Sequence, residues 1–182
     1  MRPAKFSGPT PDDVERGVQS CFQISTASDS SGWIRTQPEA TDFRWQFGTE
    51  PKRSAWSPLN LLRKPDFVVR DQEMREVLRI RRLSRIPSRF EVIQAGELVG
   101  TIRLWSLLRN RYTLDFREGS TWTFRMPLFS IQFYGLSSTG SRVWVIVGPG
   151  KRQWNLLMDP ESDDIRLLAS LAFIHREWWC YS

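Results

Sequence analysis

A chain of 182 residues suits one domain with a full hydrophobic core. Hydrophobic residues make up 40 % and aromatics 13 %, with nine Trp and eleven Phe, and that much ring surface excludes a disordered chain. A net charge of +6 and a pI near 9.9 favour a polyanionic partner (anionic lipid, nucleic acid or an acidic protein) without identifying it.

Two cysteines, Cys21 and Cys180, and one histidine, His175, provide neither a disulfide framework nor a four-ligand zinc site. No metal or other cofactor is expected, and a reducing, cytoplasmic setting is. MRPAKFSGPTPDD has no continuous apolar core, so it does not read as a signal peptide. No run reaches the roughly 18 apolar residues of a transmembrane segment.

In chain order, residues 1–18 are rich in Pro, Gly and polar side chains and read as a flexible arm, with one domain over 19–182. CFQIS (Cys21 to Ser25) suits a short strand and SDSSG (Ser28 to Gly32) a turn. DFRWQF places Phe43, Trp45 and Phe47 on one face, and the proline-bearing stretch Glu50 to Pro65 reads as a connector whose Trp56 and Leu residues lie on the core. From Asp66 nine strands follow: DFVVRD, REVLRIRRL, SRFEVIQ, ELVGTIRLW, RYTLDF, TWTFRM, FSIQFYG, RVWVIVG and RQWNLLM. Spacers such as QAGE, REGS, SSTGS and GPGK imply an antiparallel meander. So long an open sheet would expose its edges, so a closed barrel or a sandwich is favoured. The scheme F-x-V, polar turn, V-x-x-I-R occurs at Phe67 to Arg81 and again at Phe90 to Arg103, a spacing of about 23 residues.

The last element, about 162–179, is IRLLASLAFIHREWW with its acidic lead-in. Either Asp159 caps it with Pro160 in the first turn, or Ser162 does with acids following. At 100° per residue, only Arg166, Ser170 and Glu177 form a polar stripe, and apolar side chains cover most of the remaining girth. A helix apolar nearly all round is buried on all sides. It is too short for a membrane span and lacks the broad basic face of a membrane-surface helix. A helix threaded through a closed β-barrel satisfies both the strands and the helix.

Little catalytic chemistry is visible. His175 falls in the apolar arc of the helix, where a core histidine is expected, and no nucleophile or carboxylate is placed to complete a catalytic set with it. Cys180 reads as an inert thiol at the chain end. Gly148 to Arg152 lacks the Gly-Lys-Ser/Thr ending of a phosphate loop and precedes a strand, so it reads as a hairpin turn. Glu161, Asp163 and Asp164 are better explained as helix N-terminal acids than as a cation site. The binding candidate is the basic run RIRRLSRIPSR. If Leu78 and Ile80 face the core, Arg79 and Arg81 face out; Leu98, Ile102 and Leu104 inward puts Arg103 outward beside Trp105. Arg79, Arg81 and Arg103 are therefore expected to form one positive patch.

The units FVVRDQEMREVLRIRR and FEVIQAGELVGTIR, the strands YTLDF and VWVIVG, and the closing IRLLASLAFIHREWW together resemble the tubby C-terminal-like superfamily, in its LURP-one-related and phospholipid scramblase-like branches. The resemblance covers Asp66 to Trp179. It implies a closed antiparallel barrel of about twelve strands around the buried C-terminal helix, and a non-catalytic module that binds phosphoinositide or other anionic lipid headgroups. Neither the cysteine-rich cluster nor the long proline-rich arm of animal scramblases is present. The expectation is thus a non-enzymatic, cytoplasmic protein, peripheral at a membrane surface. The alternatives are a protein-interaction scaffold and, more weakly for want of a motif, a nucleic-acid binder.

Overall fold

The structure, a computed structural model, describes residues 20–28, 31–37, 44–50, 65–84, 88–106, 111–125, 132–147, 153–158 and 164–179. They form twelve strands and a helix: β1 (Ser20–Ser28), β2 (Ser31–Gln37), β3 (Trp45–Glu50), β4 (Asp66–Arg70), β5 (Glu76–Ser84), β6 (Ser88–Gln94), β7 (Glu97–Ser106), β8 (Arg111–Phe116), β9 (Thr121–Arg125), β10 (Gln132–Ser137), β11 (Arg142–Val147), β12 (Gln153–Met158) and α1 (Ile165–Trp179). Each strand pairs antiparallel with the next, and β1 pairs with β12, so the sheet closes into a barrel without a free edge. The nine expected strands from Asp66 onward are β4 to β12. The arm 1–18, Phe43, Trp56, Asp159, Ser162, the loop Gly148 to Arg152 and Cys180 lie outside the described residues.

Alternation builds the barrel wall. Tyr112, Leu114 and Phe116 on β8, Trp122 and Phe124 on β9, Val143 and Val145 on β11, and Trp154, Leu156 and Met158 on β12 are all buried. Helix α1 fills the space they enclose, from Leu167 to His175 without a solvent-exposed position. The ring of Phe173 lies 5.5 Å from that of Phe67 on β4 and 4.7 Å from that of Phe90 on β6, while His175 lies 4.6 Å from Trp154 on β12. The helix thus meets separate sectors of the wall. The repeated scheme has a structural counterpart: Phe67 stands opposite Ile80 and Phe90 opposite Ile102, and both phenylalanines pack on Phe173. Of the polar stripe, Ser170 and Glu177 are buried as well, and only Arg166 at the helix start reaches the surface.

Three expectations need correction. The helix begins at Ile165, and its cap is Asp164: the Arg166 amide donates to Asp164 Oδ1 at 2.8 Å, and the Leu168 amide to the Asp164 carbonyl at 3.0 Å. Ser31 and Gly32, expected in the turn, instead open strand β2. Leu98 points outward, 43 % exposed, because a β-bulge between Val92 and Ile93 on the partner strand's register inserts Val99 and shifts the phase of β7.

Rings and glycines interlock across the sheet. Gly32 faces Phe47, Gly100 faces Phe116 and Gly135 faces Phe124 in direct register. At Gly100 a Cβ would fall 2.7 Å from Phe116 Cδ1, and at Gly32 and Gly135 it would run into the opposing ring. Each phenylalanine therefore lies flat over a neighbouring glycine, which leaves room for α1.

The two ends of the barrel differ. The tight turns of β4–β5, β6–β7, β8–β9 and β10–β11 share one end, with φ positive at Met74, Ala95, Gly96, Gly119 and Gly140. The helix enters there, where Arg166 is held by Asp164 and by Glu118 of the β8–β9 turn at 2.6 Å. Strands β5, β7 and β9 finish, and β6, β8 and β10 start, at the other end.

Candidate functional site on the outer face

The barrel is apolar inside and charged outside, the reverse of an outer-membrane barrel. Arg79, Arg81, Glu91, Arg103 and Asp115 all stand on the outer positions of β5 to β8. The residues that could bind a ligand there depend on which charges are already neutralised.

The expected patch is divided. Arg79 donates to Glu50 at 2.9 Å and to Asp66 at 3.3 Å, and it is also paired with Glu76. Arg70 holds the second oxygen of Glu50, and Arg81 reaches Asp66 at 3.7 Å. Three guanidinium groups of β4 and β5 thus face three carboxylates of β3, β4 and β5. The hydrogen bond from Arg79 holds the Glu76 carboxyl below its ordinary range, with burial opposing, and the same bond raises the Arg79 pKa. This sector is a closed ion-pair network.

Arg103 lies elsewhere, two strands away on β7. On β6 between them, Glu91 stands opposite Arg81. Arg103, 40 % exposed, is directly opposite Arg89, and Asp115 approaches it at 3.5 Å. One strand further on, Arg111 is directly opposite Arg125. Arg89, Arg111 and Arg125 are exposed and make no ion pair among the described residues. Neighbouring strands are about 4.8 Å apart, so the two arginine pairs occupy one continuous area at the end of the barrel away from the tight turns. Like charges directly opposite on adjacent strands destabilise a sheet. Two such pairs side by side concentrate positive charge, and guanidinium groups have the geometry to fork onto phosphate oxygens.

Sequence reasoning located Arg103 and passed over Arg111 and Arg125. The signal was available: equal steps outward from the REGS turn bring Arg111 opposite Arg125, and the buried alternation of Tyr112 and Leu114 turns Arg111 outward. Arg89 ends the basic run already singled out.

His175 is fully buried against Trp154, which keeps solvent from its ring. Among the described residues no cluster of three or more His, Cys, Asp or Glu could hold a metal ion, and Asp164 serves as helix cap and as partner of Arg166. No described helix is long and apolar enough to cross a membrane. No family model matches the chain, and neither a curated protein nor a solved structure does.

Proposed function

We propose that the protein is a non-catalytic binding module that docks on anionic lipid headgroups, phosphoinositides among them, through the outer face bearing Arg89, Arg103, Arg111 and Arg125. The carrying observation is that Arg111 stands directly opposite Arg125 and Arg89 opposite Arg103, with Asp115 their one ion-pair partner among the described residues, while Arg70, Arg79 and Arg81 share Glu50, Asp66 and Glu76. Retaining two unfavourable pairs is reasonable where an external anion offsets them. The tubby-like resemblance of the β4–β7 units and the C-terminal helix supports the same reading, with a cytoplasmic, membrane-peripheral location.

Sedimentation with phosphatidylcholine vesicles, with and without phosphatidylserine or a phosphoinositide, tests it. Binding is expected to need the anionic lipid and to weaken with salt. Each basic residue near such a surface contributes about 1 kcal/mol, so Arg111→Gln and Arg125→Gln should each weaken binding about fivefold. Arg79→Gln should leave it unchanged. Equal capture by neutral and anionic vesicles, or equal loss in the Arg79 variant, overturns the proposal.

A further inference from the structure

Beside the arginine pairs, the outer face changes character. Arg125 stands opposite Tyr134, Tyr134 opposite Trp144, and Trp144 opposite Leu157, so one transverse row runs from charge into apolar side chains over β9 to β12. Leu136 and Ile146 flank this row on either side, 44 % and 37 % exposed. They are two of the five large apolar side chains exposed among the described residues, and these two share one patch. The inward positions of the same strands are already filled by Phe133, Val143, Val145, Trp154 and Leu156, so these outer residues are surplus to the core. A single exposed Leu needs no explanation, but a contiguous apolar surface marks an interaction site.

Two features identify the occupant. Arginines border the patch on both sides, Arg125 opposite Tyr134 and Arg142 opposite Leu136, so the complementary surface is apolar and anionic together. The most exposed members are aliphatic, whereas Tyr134 and Trp144 are only partly exposed. Stacking of nucleic-acid bases needs open aromatic faces. Aliphatic side chains flanking Trp and Tyr, with arginines alongside, suit the boundary between headgroups and acyl chains of a bilayer.

We propose that Leu136, Trp144 and Ile146 are an insertion element: β10 and β11 enter the headgroup–acyl boundary while Arg125 and Arg111, on the next two strands, hold the phosphates beside it. This rests on the anionic-headgroup reading and adds to it an orientation and a salt-resistant component.

The experiment uses the full chain and phosphatidylcholine vesicles with and without phosphatidylserine, sedimented at low salt and again after a high-salt wash. Wild type should bind the anionic vesicles and retain a fraction through the wash. Leu136→Ser/Ile146→Ser, whose fold is checked by its thermal unfolding curve, should bind at low salt and lose the retained fraction; Leu136→Phe should enlarge it. Arg111→Gln/Arg125→Gln should lose the low-salt capture. If the serine variant survives the wash like wild type, or wild type retains nothing, insertion is overturned while arginine-dependent capture still stands. If wild type binds single-stranded RNA and ignores anionic vesicles, both proposals fall.

Discussion

Arg79 and Arg111 both stand on the outer face of the barrel, each on a strand whose alternate residues fill the core, yet their circumstances are opposite. Arg79 is surrounded by Glu50, Asp66 and Glu76, and its side chain is 23 % exposed. Arg111 is exposed and looks across the ladder at another arginine. The first arrangement ties three strands together and leaves no charge for a ligand. The second adds nothing to the sheet and leaves its charge available. Whether a basic residue on a barrel face is neutralised or keeps its charge exposed therefore depends on what the neighbouring strands place beside it.

Both faces depend on the closed register, and that depends on the helix. Leu168 has no solvent exposure, and an aspartate there would place a charge in the apolar interior without a partner. The cost of several kcal/mol is comparable to the whole stability of a domain. Leu168→Asp should therefore abolish folding, seen as loss of near-ultraviolet circular dichroism and rapid proteolysis. Leu98→Asp, at an exposed position, should leave both signals intact.

The next largest effect separates the two faces. Arg79→Gln removes a charged partner from Asp66, whose side chain is only 7 % exposed, and should destabilise the protein by about 1–3 kcal/mol in urea unfolding. Arg111→Gln relieves a cross-strand repulsion and should be neutral or stabilising by up to about 1 kcal/mol. Equal destabilisation by both would remove the distinction between the faces.

The barrel was legible where alternation was strong. Most of β4 to β12 carry large apolar residues at alternate positions, with Gly100 and Gly135 as single gaps, and α1 is apolar around nearly all its girth. β2 escaped notice for a physical reason: one of its inward positions is Gly32, and the volume there is supplied by Phe47 from β3. The proposed binding face was half legible. Arg111 and Arg125 follow from a regular count about their turn, whereas Arg89 meets Arg103 only because the bulge at Val99 shifts the register by one. The neutralisation of Arg79 was hidden because Glu50 and Asp66 lie 29 and 13 residues away in the chain. Outward alternation shows that an arginine leaves the core; only the register of the neighbouring strands shows what it meets.

The smallest expected effect sharpens the comparison through pH. Glu76 is hydrogen-bonded by Arg79, so its folded-state pKa lies below the ordinary 4.5, burial notwithstanding. A carboxyl depressed in the folded state stabilises it above the unfolded pKa, and that contribution is lost as pH falls through the folded value. Glu76 is 41 % exposed, so solvent screening limits the contribution to about 0.5 kcal/mol. The stability difference between wild type and Glu76→Gln, measured by urea unfolding, should be constant above about pH 5 and shrink toward zero as pH falls below 4.5. Arginine stays protonated throughout this range, so the difference between wild type and Arg111→Gln should be flatter over the same interval. Parallel acid dependence in the two variants would mean that a carboxylate also governs the β8–β9 pair, and the two faces would then differ in degree rather than in kind.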